Sequence, residues 1–410
     1  MTDVSDSGFK AVTRVAEARQ RLLDAVTPHD RTARVPLEQA TDRVLAERVA
    51  ARRNVPHYAR AAMDGYAVRA EDTFGASDRS PTVLREGEAM EPGTAVRVHT
   101  GSALPDGADA VVMVEYTDRI GGELEVFDAV AEGENVAPVG EDVDEGQTLY
   151  DPGHRLRPSD LGLLKSTGVT GVETYDRPTV GVIPTGEELV QADPTPGEVI
   201  ETNGLTVSEY VRRWGGVPTY RDVVTDDEAA LRAAIQRDLT KDVVVTTGGS
   251  SVGERDLVPD VVEELGEVLV HGVALKPGHP CALGVVEDTP VVMLPGYPVA
   301  CIVNAVQFLR PLLKHVGHLP AVPHPTRQAR LARKVRSEPG VRTFVRVSVE
   351  ESGDGAPEDG AHPEATPTRA GGSGVLSSVA LADGWVVVPE AREGIPEGET
   401  VPVEDWEYAP

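Results

Sequence analysis

Cysteine is nearly absent from this chain of 410 residues: Cys281 and Cys301 are the only two, and no CxxC pair exists. A zinc or haem centre built from thiols is therefore excluded, a reducing cytoplasm is the expected compartment, and both thiols read as small core residues. Positive charge is scarce as well, with Lys+Arg 39 against Asp+Glu 67 and a net charge of −28. Nucleic acid and anionic membranes are poor partners for such a surface. Lysine is the rarer cation (Lys10, Lys165, Lys241, Lys276, Lys314 and Lys334 only), a balance that resembles the surfaces of proteins from salt-adapted organisms. No apolar run is long enough to span a bilayer, and the acidic N-terminus lacks the basic and apolar regions of a signal peptide. There is no internal repeat.

What is present centres on Val243-Val244-Val245-Thr246-Thr247-Gly248-Gly249-Ser250-Ser251-Val252-Gly253-Glu254-Arg255-Asp256. Three valines predict a buried parallel strand, the glycines and serines a tight loop, and Pro259 with the apolar run to Leu265 the following helix. Backbone N–H groups of such a loop can converge on an anion, although Gly248 and Gly249 can equally serve only to close a tight turn. Asp256 would repel a bare phosphate but suits one that arrives with Mg²⁺.

The length allows two to four domains. Apolar spacing predicts an amphipathic helix over residues 9–26 and a second over Leu37–Val49. From Tyr66 to about Gly146, short apolar runs between Gly, Pro and Asp turns predict a mostly β domain, and Arg157-Pro158-Ser159-Asp160 opens a helix through Thr167. After Pro178 strands (179–183, 217–224, 242–247, 268–274, 282–287, 290–294) alternate with helices (204–214, 227–238, 257–265, 298–313), a three-layer α/β unit whose ligand should lie beyond the carboxyl ends of the strands. Residues 327–410 read as a small β-barrel or sandwich, with Glu350–Thr368 expected as a disordered loop.

Many short motifs then occur in one order. They are Ala62-Met63-Asp64-Gly65-Tyr66-Ala67-Val68, His99-Thr100-Gly101-Ser102-Ala103-Leu104-Pro105, Gly107–Met113, Gly140-Glu141-Asp142, Thr185–Leu189, Thr246–Asp256, Lys276-Pro277-Gly278, Leu294–Val299 and Gly372–Ser378. The chain resembles the molybdopterin molybdenumtransferases, MoeA and the E domain of gephyrin, over nearly its whole length. The resemblance implies a multidomain α/β plus β fold: an N-terminal helix (1–28) on the α/β domain, a helical linking domain (29–48 and 143–177), a mostly β domain (49–142), a three-layer α/β molybdopterin-binding domain (178–318) and a C-terminal β-barrel (327–410). It also implies a homodimer that takes adenylylated molybdopterin, inserts molybdate and releases AMP with Mg²⁺.

The substrates so implied are anions, and positive potential must come from Gly248, Gly249, Ser250, Ser251 and Gly253, from Thr100, and from Lys276 and His279. Asp64, Asp256 and Glu188 are the expected catalytic carboxylates, with Asp256 and Glu188 as Mg²⁺ ligands; Asp142 and Asp226 are expected near substrate, Asp142 alternatively as a turn residue and Asp226 as a helix cap. Pro295, Gly296 and Pro298 form a rigid strand-to-helix turn beside them. Relative to the family pattern, His279 replaces a lysine, Tyr297 an asparagine, Ala59 and Ala61 an Asp and a Ser, and Ala137 an Arg. Those departures keep open a paralogue handling tungstate or a non-catalytic pterin-binding scaffold, and the α/β domain keeps open an adenylyltransferase.

Overall fold

The computed structural model describes residues 12–248, 257–350, 362–368 and 373–408. The chain forms two compact units, one of Ala33–Thr174 and one of Met1–Thr32 with Tyr175–Pro410. No helix among the described residues is long and apolar enough to cross a membrane.

The first helix, α1 (Val15–Asp24), belongs to the larger unit and buries Val15, Ala18 and Leu22 on one stripe. Residues 9–11 of the expected helix lie outside the described residues, and Thr13 makes a parallel bridge to Val273 before α1 begins.

The unit Ala33–Thr174 carries a six-stranded curled sheet from β1 (Gly65–Val68), β2 (Thr82–Gly87), β3 (Thr94–Val98), β4 (Ala110–Met113), β5 (Thr117–Ile120) and β6 (Glu123–Val126), in the order β4-β1-β3-β2-β6-β5. Its one helix of two full turns, α2 (Pro158–Ser166), begins with Asp160 buried under Arg157, His154 and Tyr150. The helix expected over Leu37–Val49 does not form. Leu37–Gln39 is a single 3₁₀ turn, Asp42 adopts a left-handed φ of 63°, and Val44 and Leu45 bridge to Arg155 and Thr174. Leu37, Ala40 and Leu45 have helical spacing because all three pack on Leu156 and Leu164, which an extended chain with one sharp bend achieves as well.

In the larger unit six strands, β7 (Thr179–Pro184), β8 (Val217–Tyr220), β9 (Val243–Thr247), β10 (Glu267–His271), β11 (Ala282–Val286) and β12 (Thr289–Leu294), pair in the order β8-β7-β9-β12-β11-β10. The first three pairings in that order are parallel and the last two antiparallel, so β11 alone runs against the others. β9 is buried along its whole length, and its alternation divides two cores. Val243 and Val245 face α1, α3 (Asn203–Arg213) and the C-terminal helices, whereas Val244 faces α4 (Glu228–Asp238) and α5 (Leu257–Leu265). That is the three-layer arrangement. β8 ends at Tyr220, short of residue 224, and Asp227 rather than Asp226 caps α4 by accepting from the Ala230 N–H at 2.9 Å.

The expected helix 298–313 is longer and interrupted: α6 (Pro298–Asn304), a π turn (Ala305–Leu309) and α7 (Arg310–Val316). Pro311 has no N–H to give the Gln307 carbonyl four residues earlier, and the helix widens there. Arg19 of α1 supplies donors instead, Nε to the Gln307 carbonyl (3.0 Å) and Nη2 to its Oε1 (2.8 Å).

The chain ends in a closed five-stranded barrel of β13 (Thr326–Leu331), β14 (Arg342–Glu350), β15 (Glu364–Pro367), β16 (Gly384–Val388) and β17 (Thr400–Glu404). The expectation of one disordered loop over Glu350–Thr368 is corrected at both ends. Glu350 closes β14, and Glu364–Pro367 pairs with both β14 and β13 because Ala365 fills the barrel core; residues 351–361 lie outside the described residues.

Arg19→Met is expected to lower stability by about 2 kcal/mol, the cost of withdrawing donors from a buried carbonyl and amide. Chemical denaturation followed by circular dichroism measures it. Combining Arg19→Met with Pro311→Ala, which restores a backbone N–H to Gln307, is expected to recover at least half of the loss.

Candidate functional site

Three strand ends and one barrel wall meet around a cavity of about 1090 Å³ within the larger unit. β7 delivers Glu188 and Leu189, β9 delivers Gly248, and β12 delivers Pro295, Gly296, Tyr297 and Pro298. The ligand position beyond the carboxyl ends of a parallel sheet is therefore the one this fold offers. Gly248 has φ +120°, and a Cβ there would stand 2.2 Å from the Thr185 carbonyl oxygen; β9 can end this close to β7 only as glycine. Gly249, Ser250, Ser251, Gly253 and Asp256 lie outside the described residues. At the same strand ends the buried hydroxyls of Thr185, Thr246 and Thr247 have no hydrogen-bond partner among the described residues.

The opposite wall is set by a short ladder in which Leu275 pairs with Arg342 and Lys276 with Thr343, parallel to β14. It carries Lys276, Pro277, Gly278 and His279 into the cavity lining. Gly278 (φ +118°) packs directly on Asn304, whose Nδ2 donates to the Gly278 and Ala300 carbonyls at 2.9 and 2.8 Å. Lys276 Nζ is held by Glu338 Oε1 at 2.8 Å, both side chains being more than half exposed, so its charge is available only in competition with a carboxylate. Burial, and then the neighbouring Lys276 charge, hold the His279 imidazole below its ordinary value, with Glu338 opposing. His279 is therefore neutral at pH 7.

Two arginines complete this wall, and neither was singled out from the sequence. Arg336 is exposed at the cavity edge, while Arg346 is 8 % exposed and donates to Ser378 Oγ (3.3 Å) and the Phe344 carbonyl (3.5 Å). Burial lowers the Arg346 value from its ordinary one. Local sequence carried no signal for it: Arg346 falls between Val345 and Val347, which face the barrel core, and on the opposite face of β14 it is buried only where the barrel packs on the α/β domain. Asn203 and Glu201 also line the cavity; Asn203 Nδ2 holds the Gly296 carbonyl at 2.7 Å, and the buried Glu201 accepts from the Gly204 N–H (2.6 Å) and from the Tyr220 hydroxyl.

Asp226 sits near Glu188: burial, then the Glu188 charge, raise the Asp226 carboxyl above its ordinary value. No three His, Cys, Asp or Glu side chains converge as a metal cluster among the described residues. In the other unit, Asp64 and Thr100 are brought together. The Thr100 N–H and hydroxyl both donate to Asp64 Oδ1, at 2.7 and 2.8 Å, and hold that carboxyl below its usual range, with His99 Nδ1 3.9 Å from Oδ2. Asp142 is exposed in the same unit, its N–H on the Val55 carbonyl. Ala61 pairs with Val136 and Ala137 with Arg60, and Ala61 and Ala137 are buried, so two of the departures from the family pattern share one short ladder. Cys281 and Cys301 are core residues, and burial raises both thiols. His315 and His318 are half-buried, each with Nε2 on a backbone carbonyl, of Val26 and of His29.

Because burial holds His279 below the usual histidine range, binding of molybdate is expected to strengthen only as the pH falls beneath that range and the imidazole gains charge. His279→Lys is expected to tighten binding at pH 7.5 by about fivefold, one added charge being worth ~1 kcal/mol near solvent, and to flatten the acid limb. Titration calorimetry from pH 8 to 5.5 checks both.

Three family profiles align with the chain in sequence: the MoeA N-terminal region (domain I and II) over residues 13–168, a probable molybdopterin binding domain over 181–315, and the MoeA C-terminal region (domain IV) over 328–406. A putative molybdopterin biosynthesis protein of Methanocaldococcus jannaschii is 36 % identical over 94 % of each chain. A molybdopterin molybdenumtransferase of Bacillus subtilis is 35 % identical over 54 % of this chain and 55 % of its own length. Two crystal structures of the molybdopterin biosynthesis MoeA protein from Pyrococcus horikoshii superpose with TM-scores of 0.81 and 0.77, at 34 % and 31 % identity, covering 97 % and 96 % of this chain and 99 % of each.

Proposed function

The chain belongs to the MoeA family of molybdenum cofactor biosynthesis, and on that footing we propose that it is a molybdopterin molybdenumtransferase, which inserts molybdate into adenylylated molybdopterin and releases AMP. The observation that carries the proposal is the division of charge within one cavity. Arg346, Arg336 and Lys276 line one side, whereas Glu188 lies at the strand ends on the other, with Asp226 near it.

Oxyanion and phosphate are both multiply charged, and a buried guanidinium that has given up water is a ready partner for either. Arg346, with Ser378 Oγ beside it, would hold a tetrahedral oxyanion, and Lys276 would reach the phosphates once Glu338 releases it. Glu188 and Asp226 suit Mg²⁺: two neighbouring carboxylates, one of them raised partly by the other's charge, gain from a divalent cation between them, and Mg²⁺ needs only one or two carboxylates beside water and substrate phosphate. Bound there, Mg²⁺ would neutralise charge on the phosphoanhydride. We also read the protein as a cytoplasmic homodimer in which Asp64 and Thr100 of a second copy complete the site, Thr100 keeping the Asp64 carboxylate ionised and fixed.

The test is AMP release from adenylylated molybdopterin by the purified protein in concentrated KCl with Mg²⁺ and either molybdate or tungstate. Release that depends on the oxyanion is expected, with turnover about 100-fold lower in Glu188→Gln. Pterin that binds without AMP release under either oxyanion would instead establish the scaffold reading, which the neutral His279 and the alanines at 61 and 137 favour.

A further inference from the structure

The chain has few aromatic residues, 4 % of its composition, and one of them stands exposed at the cavity: Tyr297 lines it and is 63 % exposed. We propose that the Tyr297 ring is a stacking platform for a planar heteroaromatic ring of the substrate, adenine or pterin, and so a positioning residue of the transferase site. The inference rests on the transferase reading for the substrate class and on the geometry of one turn for the rest.

That turn is fixed on every side except at the ring. Preceding Pro298 restricts Tyr297 to extended backbone, and it has φ −74° and ψ 126° as the residue that opens α6. Its carbonyl accepts the Cys301 N–H at 2.9 Å, the Gly296 carbonyl before it is held by Asn203, and the Val299 N–H after it donates to the Ser373 carbonyl at 3.0 Å. The ring lies along the barrel-side segment at Gly374, where a Cβ would come within 3.3 Å of Tyr297 Cδ1. A ring seated on backbone loses only two side-chain torsions when a ligand covers it, which keeps the entropic cost of stacking small. Side-chain chemistry also sorts the cavity: apolar Leu189, Val199 and Ile200 line it together with Tyr297, whereas the cations Arg346 and Lys276 line its barrel-side wall. A substrate that carries both a planar ring system and phosphate matches that division.

Titration calorimetry with AMP, 6-carboxypterin, ribose 5-phosphate and tungstate, on the wild type and on Tyr297→Ala and Tyr297→Phe, tests the platform without requiring turnover. Stacking on one aromatic side chain corresponds to about a tenfold or greater loss on truncation to alanine. The expected result is that loss for AMP or for the pterin, whichever ring uses the platform, with ribose 5-phosphate and tungstate changed less than twofold and Tyr297→Phe close to wild type. Equal affinity of Tyr297→Ala and wild type for both ring compounds would overturn the platform while leaving the transferase reading intact. A Tyr297→Phe variant as weak as Tyr297→Ala would overturn it too, since the hydroxyl and not the ring would then bind. Failure of the wild type to bind either ring compound would remove the platform together with the reading it rests on.

Discussion

A ladder of two residue pairs, Leu275 with Arg342 and Lys276 with Thr343, joins the α/β sheet to the C-terminal barrel, and the cavity depends on it. The barrel contributes Arg336, Thr343, Phe344, Arg346 and Gly374 to a wall that the α/β domain alone would lack. Apolar packing reinforces the join, since Phe344, Trp385 and Trp406 share one core with Leu275, Leu294 and α6. Trp385 and Trp406 stack with ring centroids 4.5 Å apart within it. That shared burial holds the barrel and the α/β domain together within one compact unit.

Electrostatics then decide what the frame can hold. With a net charge of −28 the protein repels anions at a distance, so binding one requires local positive groups that are shielded from the rest. Arg346 meets that need because it is buried, where an attraction is screened least. Lys276 meets it only in part, engaged as it is with Glu338, and His279 contributes no charge at pH 7.

Much of this architecture was legible in the residues. Strands of the three-layer domain announce themselves as β-branched runs, and their buried central strand, Val243–Thr247, was the clearest. Helical spacing misled at Leu37–Val49, where the same apolar positions pack against Leu156 and Leu164 from an irregular segment bent at Asp42. Local patterns could not show that Pro311 would be answered by Arg19, 292 positions away, or that Glu338 would pair with Lys276, because both contacts are set by domain packing. Arg346 was overlooked for a related reason. An arginine in an alternating strand reads as an outward, solvated residue; Arg346 does lie on the face of β14 opposite Val345 and Val347 of the barrel core, and it is buried because that face packs on the α/β domain beside Phe344 and Trp385. Motifs carried the rest: Asp64 with Thr100, and Glu188 with Asp226, lie far apart in sequence and meet in the fold.

We propose that the oxyanion is held by the barrel's buried Arg346 beside Ser378. Crystals soaked in tungstate, with diffraction recorded at the tungsten absorption edge, locate it directly. An anomalous peak inside the cavity within hydrogen-bonding reach of Arg346 is the expected result. Peaks confined to the outer surface, or to the unit Ala33–Thr174 alone, would contradict it.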